Sequence, residues 1–246
     1  GDAILSHRIL GIPVGSRAHN VLFYAQSGPD GAHLYRLNLS TLKREQIKSV
    51  SAQLGPRDFN WIGLSPDQEK AACYINAGNN HSTILVIHDQ AAKAVVDTYA
   101  VSTQRVEMGK WLTDNTITLL GASASHFLLN LRKETNLGKY GGNGFVELQS
   151  LQGKEIHWFS PVSAHSIVYA EGGQISSFDL AADKNAKVID ITGKRVQDLR
   201  YSPENEDCLF CTAESKTNYL IHKYGPVGLG SAQVVSPTQD NATNAD

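Results

Sequence analysis

Four acidic residues lie at the starts of apolar, strand-like runs, where their carboxylates could share one chemical task. Two carboxylates about 5–10 Å apart can cleave a glycosidic bond, one as the acid and the other as base or nucleophile. The four candidates are Asp58, Glu107, Glu155 and Asp198. Acidic side chains at such positions also line hydrated channel mouths without doing chemistry, so both interpretations stay open.

A second group of polar residues recurs where other apolar runs begin. Its members are His33, His81, His126, Gln174 and Asn218, with His81 two residues earlier in register. All five side chains can bind a metal or hydrogen-bond a ligand. A repeated scaffold holds equivalent positions too far apart for one ion, whose ligands lie about 2.1 Å away. We therefore expect a shared binding rim and no metal site, although polar residues are ordinary where turns meet strands.

The three cysteines are Cys73, Cys208 and Cys211. Cys208 and Cys211 have the spacing of half a zinc or redox motif, but they lie in an apolar run typical of a β-strand. Residues i and i+3 of a strand point to opposite faces, so these thiols cannot easily chelate one ion or form a disulfide. We expect both to be unbridged, without zinc.

The longest predicted connection runs from Lys133 to Gly144 and is rich in glycine, with Tyr140 at its centre. It lacks the residues of a phosphate-binding loop and is interpreted as a solvated loop, with a contact tip as the alternative. The sequence contains no His-Glu-x-x-His, and Gly121–Ser125 lacks the last glycine of Gly-x-Ser-x-Gly. No catalytic residues are therefore assigned.

Composition excludes several classes of protein. Of 246 residues, 41% are hydrophobic and 19% charged, which suits a chain with a substantial core and argues against disorder. The 22 basic and 24 acidic residues give a net charge of −2, which disfavours a nucleic-acid partner. No apolar run approaches the roughly 18 residues of a membrane-spanning helix.

An internal repeat organises the chain. Its clearest copies, Leu64–Asp67 and Tyr201–Glu204, are a hydrophobic residue, Ser-Pro and an acid, and each precedes an apolar run. The anchor residues of the five copies are Pro13, Pro66, Asp114, Pro161 and Pro203, separated by 53, 48, 47 and 42 residues. A period of about 40–50 residues with several strands per unit predicts the blades of a β-propeller.

The fold prediction is an all-β propeller of five four-stranded blades with negligible helix; six blades or a β-sandwich are the alternatives. The blades are expected at residues 1–52, 53–104, 105–152, 153–193 and 194–236 of one domain, with 237–246 as a disordered tail. Trp61, Trp111 and Trp158 fall in the predicted innermost strands. Their recurrence favours packing between adjacent blades over sugar stacking.

The paired motif of Ser-Pro-acid and β-run resembles the TolB-like and WD-repeat class of β-propellers. Val86–Asp89 and Ser177–Leu180 are similar to the third strand of that class. The sequence departs from the class at Gln68 and Asn205, where a glycine is usual, and it contains no Trp-Asp dipeptide. The resemblance implies a protein of the bacterial envelope or of a larger complex, while a cytoplasmic location stays open.

These observations predict a non-enzymatic propeller that acts as a protein-interaction scaffold or ligand-binding module without a cofactor. The expected partner is a protein, with a glycan as a further possibility. Its binding face is expected to carry the His33 group of residues and not the loop from Lys133. Two alternatives are a carbohydrate-active enzyme or lectin that uses the four carboxylates, and the regulatory propeller of a larger hydrolase.

Overall fold

The computed structural model describes residues 8–50, 54–55, 58–76, 81–90, 94–101, 105–122, 124–131, 145–191, 195–202, 207–213 and 219–224. Several predicted features lie outside these residues: Asn218, the loop from Lys133 to Gly144, a last strand at Ala232–Ser236 and the tail at 237–246.

Nearly all of the described chain is β-strand. The first ten strands are β1 Ile9–Ser16, β2 Val21–Gly28, β3 Gly31–Asn38, β4 Arg44–Val50, β5 Phe59–Leu64, β6 Lys70–Asn76, β7 Ser82–Asp89, β8 Ala94–Val101, β9 Val106–Thr113 and β10 Thr116–Gly121. The others are β11 Ser125–Asn130, β12 Phe145–Glu147, β13 Ile156–Ser163, β14 Ser166–Glu171, β15 Gln174–Asp179, β16 Lys184–Asp190, β17 Val196–Ser202, β18 Asp207–Ala213 and β19 Tyr219–Tyr224.

The described strands form five antiparallel sheets, each built from strands consecutive in the sequence. Sheets 1 to 4 contain β1–β4, β5–β8, β9–β12 and β13–β16, and sheet 5 contains β17–β19. No α-helix occurs among the described residues, in which the one helical segment is a 3-10 turn at Gln149–Leu151. The all-β prediction and the grouping of strands into repeated units are confirmed.

The first strand of every sheet pairs irregularly with the second. Register shifts interrupt β1–β2, β5–β6, β9–β10, β13–β14 and β17–β18. The second and third strands of all five sheets pair without a shift. A bulge increases the local twist and bends its strand. Within the first unit β5 contacts both β1 and β9, and within the second β13 contacts β17, so these irregular strands are the ones that approach one another.

The apolar runs predict strands at Leu5–Pro13, Glu155–Phe159 and Phe145–Leu151, and these three strand ends were wrong. Pro13 and Pro161 lie inside β1 and β13. These first strands are sheet edges, where a residue without an N–H is tolerated. The strand predicted at Phe145–Leu151 ends at Glu147, because Leu148 donates its N–H to the carbonyl of His126 and the chain then turns to bury Leu151.

The described strands fall into two compact units, one within residues 1–152 and the other within 153–246. In the first unit, one apolar cluster joins sheets 1 and 2 around Phe23, Leu34 and Phe59, and a second joins sheets 2 and 3 around Ile84 and Leu119. In the second unit, a cluster around Val168 and Leu199 joins sheets 4 and 5.

The tryptophans lie in first strands, as predicted, and pack between neighbouring sheets. Trp61 is 9% exposed and meets the Phe59 ring edge-on at 5.4 Å, within the cluster of sheets 1 and 2. Trp111 of sheet 3 donates its Nε1–H to the carbonyl of Gly63 in sheet 2 at 3.0 Å. Trp158 packs against the cluster of sheets 4 and 5. The packing interpretation of the tryptophans is confirmed.

The Ser-Pro-Asp turn after β5 is held by its own side chains. Ser65 is buried, and its hydroxyl accepts the N–H of Lys70 at 3.0 Å. Burial opposes ionisation of Asp67, but hydrogen bonds from Ser65 and from the N–H of Glu69 outweigh it and hold the pKa of this carboxyl below its usual value. Gln68 takes the left-handed conformation with φ 62°, which explains why a glycine is usual at this position.

Sheets 1 and 2 are also joined by a buried ion pair. The side chain of Asp89, at the end of β7, is 0% exposed, and it accepts a hydrogen bond from Arg36 Nε at 2.6 Å. His19 Nδ1 lies 3.2 Å from the other carboxylate oxygen, and His19 Nε2 lies 3.2 Å from Glu69. The Arg36–Asp89 ion pair therefore joins sheets 1 and 2, and His19 of the β1–β2 turn lies beside it.

Candidate functional site

A cleft of about 420 Å³ opens in the first unit where the first strands of sheets 1, 2 and 3 converge. Its lining residues are Gly11, Ile12, Phe59, Asn60, Tyr74, Asn76, Arg105, Val106 and Glu107. Phe59 opens β5, Arg105 precedes β9 and Asn76 ends β6. The cleft therefore lies towards the edge of the sheets that carries the turns between second and third strands.

A bulge in β1 turns Ile12 out of the sheet. Leu10 pairs with Ala25 and Val14 with Phe23, so three residues of β1 stand opposite one of β2. The side chain in the middle of this bulge, Ile12, is 82% exposed. Bulges re-aim side chains in this way and are common beside binding sites.

The bulge depends on glycine at position 11. Gly11 has φ +65°, and a Cβ there would lie 3.3 Å from the Trp61 ring and 3.4 Å from the Phe59 ring. A larger residue would be strained in its backbone and crowded by both rings. Gly11 thus permits β1 to approach β5 closely while Ile12 faces the cleft.

Polar side chains from sheet 2 form one wall of the cleft. Asn60 is exposed on β5 and pairs across the sheet with Tyr74 on β6. Burial raises the pKa of the Tyr74 hydroxyl, which stays protonated and donates to the main-chain carbonyl of Glu107 at 2.8 Å. This bond fixes the first residues of β9 against sheet 2.

Buried hydrogen bonds that link Asn76 and Ser82 to Val106, called the Asn76–Ser82 clasp below, also hold the start of β9. Ser82 Oγ accepts the N–H of Val106 at 2.7 Å and donates to Asn76 Oδ1. Asn76 Nδ2 donates to the carbonyl of Val106 at 3.0 Å. Asn76 and Ser82 are 3% and 2% exposed, and Val106 is fully buried, so the clasp satisfies polar groups that water does not reach.

Charges of both signs stand on either side of Val106. Arg105 precedes β9 and Glu107 is its second residue. Glu107 is exposed and Arg105 partly exposed, whereas Val106 between them is buried. Arg105 lies 3.4 Å from the carboxylate of Asp58, whose other oxygen accepts the N–H of Gly55 at 2.8 Å. The cleft thus offers a guanidinium, a carboxylate and an amide beside the exposed Ile12.

The four candidate carboxylates are divided between the two units. Asp58 and Glu107 belong to the first unit, and Glu107 lines the cleft. Glu155 and Asp198 belong to the second unit, where Asp198 lies 3.0 Å from Arg200 and Glu155 is exposed. Asp58 already holds a turn and an arginine, which is a structural role. The carboxylate-pair hypothesis stays a prediction.

The predicted rim residues do not share one register. Gln174 opens β15, whereas His33 is the third residue of β3, His126 the second of β11, and His81 precedes β7. Successive residues of a strand face opposite sides, so His126 faces the side opposite to that of His33 and Gln174. His81 and Gln174 are exposed, His126 is buried, and His33 contacts Asp30 and Ser49 at 3.1 Å.

The prediction that His33 and His126 open their third strands, as Gln174 does, was therefore wrong, and Asn218 lies outside the described residues. The positions that open the third strands in register are Gly31, Ser82, Ser125 and Gln174. Sequence spacing alone could not show this, because the turns before these strands differ in length. The four described rim residues still lie at or near the edge with the second-to-third-strand turns, and the binding role of the set stays a prediction.

The cysteines are free thiols in the structure. Cys208 is buried in the cluster of sheets 4 and 5, whereas Cys211 of the same strand is only half-buried. Burial raises the pKa of Cys208 to about 12. The different environments agree with the expected placement on opposite faces of a strand.

Among the described residues, no group of three or more His, Cys, Asp or Glu side chains is arranged to hold a metal ion. Likewise, the described part of the chain has no helix with the length and apolarity needed to cross a membrane.

Comparison of the fold with solved structures gives the architecture. The β-propeller domain of the Trilobed protease from Pyrococcus furiosus superposes with a TM-score of 0.61 at 8% identity, over 91% of this chain and 68% of that one. The Cps50 (Swd1) β-propeller domain of Myceliophteria thermophila gives 0.57 at 9% identity, over 95% and 67%. The chain has a β-propeller fold.

A third similar structure is puromycin hydrolase, with a TM-score of 0.61 at 12% identity. The propeller covers 88% of its own length in this match but only 36% of the hydrolase chain. No protein-family model matches the sequence, and neither does any curated protein. The β-propeller class inferred from the Ser-Pro-acid repeat is confirmed, whereas the number of blades stays a prediction.

Sequence reasoning missed Ile12, Asn60, Tyr74 and Asn76. Ile12 was assigned to the strand that leads to Pro13, and nothing in its type distinguishes it from a core residue. Asn60 and Asn76 did carry a signal, because each interrupts or ends an apolar strand next to a candidate carboxylate or histidine. Their convergence depends on how the sheets pack, which the repeat pattern does not specify.

Proposed function

We propose that this β-propeller is a non-enzymatic binding module whose protein partner docks at the cleft formed by sheets 1, 2 and 3. The single observation that carries the proposal is the β1 bulge, which holds Ile12 at 82% exposure beside convergent polar groups. When a partner covers an exposed aliphatic side chain, binding is favoured by about 25 cal/mol per Å² of apolar area removed from water.

The surroundings of Ile12 suit a protein surface. Arg105, Glu107 and Asn60 provide donors and acceptors around an apolar point, which is the arrangement of an interface anchor inside a polar rim. The Tyr74 bond and the Asn76–Ser82 clasp hold the strand that carries the two charges. Such a preorganised site loses little conformational entropy when it binds.

The test compares the proteins captured by the variant Ile12→Asp with those captured by the matched variant Leu42→Asp. Leu42 is also a strongly exposed aliphatic residue, 73% exposed, but it lies in the β3–β4 turn at the other edge of sheet 1. We expect Ile12→Asp to weaken binding at least about tenfold, as loss of an interface anchor does. Leu42→Asp should leave binding unchanged.

Quantitative mass spectrometry of the captured proteins, followed by titration of the purified partner, measures this difference. Equal loss in both variants would point to a general effect of added charge. Retention of every partner by Ile12→Asp would exclude the cleft as the docking site.

The second candidate is that this chain serves as the propeller domain of a larger hydrolase. It is favoured by the similarity to puromycin hydrolase, of which the chain covers 36%, and to the propeller domain of the Trilobed protease. This hypothesis predicts that the native polypeptide carrying the sequence is much longer than 246 residues. An immunoblot of native extract with an antibody to this chain measures that length, and a band at the size of the chain alone would reject it.

A further inference from the structure

The outer strands of the sheets differ in how well their free edges are protected. An edge strand presents unpaired N–H and C=O groups, and proteins protect it by shortness, lysine, proline or a bulge. Four described outer strands can be compared: β4, β8, β12 and β16. The comparison lies within one molecule, so each strand serves as a control for the others.

Three of these strands carry such protection. β4 contains Arg44 and Lys48 and pairs with β3 through a register shift. β16 contains two lysines and also pairs through a shift, and β12 is only 3 residues long. Each of the three is therefore a poor template for another strand.

Strand β8 has none of these features. It is 8 residues long, Ala-Val-Val-Asp-Thr-Tyr-Ala-Val, with one charged residue and no lysine, arginine or proline. It pairs with β7 from Ser82↔Val101 to Asp89↔Ala94 without a shift, so its edge is straight. Val95 is 43% exposed on it.

The polar side chains of β8 are engaged within the chain. Asp97 lies 3.0 Å from His88 Nε2, and Thr98 accepts a hydrogen bond from Lys48 Nζ at 3.1 Å. Asp97 is the one charged residue of β8. A regular edge with a single charged residue and several β-branched residues is suited to strand addition.

We propose that β8 pairs with β8 of a second copy of this chain, in an antiparallel arrangement about a two-fold axis. In such pairing, directly opposite residues must use the same side of their strands, so one residue stands opposite itself. An axis at Asp97 would place two carboxylates together. An axis at Thr98 places Thr98 opposite Thr98, Asp97 opposite Tyr99 and Val95 opposite Val101, which are favourable or neutral pairs.

Because β8 is self-complementary in this register, a second copy of the chain fits its edge. The Thr98 register pairs residues 95–101 of both strands and places no two charged residues of β8 opposite each other. It covers Val95, and it uses an edge that is separate from the cleft at Ile12. The dimer therefore does not depend on the proposed partner site.

The test compares the same substitution in two outer strands of the full chain. Ala100 on β8 and Ala186 on β16 are both exposed alanines. Ala100→Lys adds the edge protection that β8 lacks, twice in each dimer, whereas Ala186→Lys adds it to a strand already protected. Sedimentation equilibrium over a concentration series measures the dissociation constant of each protein.

We expect a concentration-dependent dimer for the unaltered chain, a dissociation constant raised at least about tenfold by Ala100→Lys, and no change with Ala186→Lys. Hydrogen exchange of β8 amides should slow with concentration in the unaltered chain only. Val95→Lys provides a second variant of the same edge if Ala100→Lys does not fold. A monomer at all concentrations, or a dimer that Ala100→Lys and Val95→Lys leave intact, would overturn the proposal.

Discussion

Replacing Asp89 by alanine is expected to lower the free energy of unfolding by about 3 kcal/mol, because the change leaves a mostly buried guanidinium without its main partner. The Asp89 side chain is 0% exposed and Arg36 is 15% exposed, with Nε and the carboxylate 2.6 Å apart. Glu45 lies 3.8 Å from Arg36 and compensates part of the charge. Urea unfolding of the two proteins measures the difference.

The matched control is Asp97→Ala on the neighbouring strand of the same sheet. Asp97 also lies beside a basic side chain, His88, but it is 52% exposed. Asp97→Ala should lower the free energy of unfolding by less than about 1 kcal/mol, as is usual for solvent-exposed pairs. Combining Asp89→Ala with Arg36→Met should restore much of the stability, since no unpaired charge then remains. If Asp89→Ala costs no more than Asp97→Ala, the ion pair does not hold sheets 1 and 2 together.

Replacing Ser82 by alanine is expected to cost about 2 kcal/mol, because it leaves the buried N–H of Val106 and the Asn76 carbonyl oxygen without the hydroxyl. The Ser82 hydroxyl holds the N–H of Val106 at 2.7 Å. Because Val106 lies between Arg105 and Glu107, the substitution should also loosen the strand that lines the cleft. Urea unfolding measures the stability, and hydrogen exchange of the Val106 amide reports the local effect.

Ser49→Ala provides the comparison for Ser82→Ala. Ser49 is an exposed serine of β4 whose hydroxyl also takes part in hydrogen bonds, to His33 and Gln46. Its loss should change stability by less than about 0.5 kcal/mol, as at most surface positions. An unchanged exchange rate at Val106 in Ser82→Ala would mean that the clasp does not hold β9.

The repeat and its strands could be predicted because they depend on short-range patterns. Runs such as Ala71–Ile75, with turn residues before them, specify strand, turn and strand without information from the rest of the molecule. The cysteine placement on β18 followed from the alternation of a strand. The strand and turn patterns recur in several units, so the clear copies indicate how a less regular copy folds.

The cleft could not be predicted for the opposite reason. Exposure of Ile12 follows from the pairing of Leu10 with Ala25 and Val14 with Phe23, which is decided across two strands. The His33 group failed as a single repeat position because the preceding turns differ by a few residues, and each step of one residue reverses the direction of a side chain. Register, more than strand content, limits what the pattern reveals about the site.

The regular pairing of second and third strands bears on how the chain reaches its native state. These hairpins join neighbours in sequence and contain no shift, so each has one self-consistent alignment and a small loop-closure entropy. Long-range contacts between sheets, such as that of Arg36 with Asp89 across 53 residues, can stabilise the chain only after the hairpins have formed. The central hairpins are therefore suited to serve as templates on which the irregular first strands and the outer strands assemble.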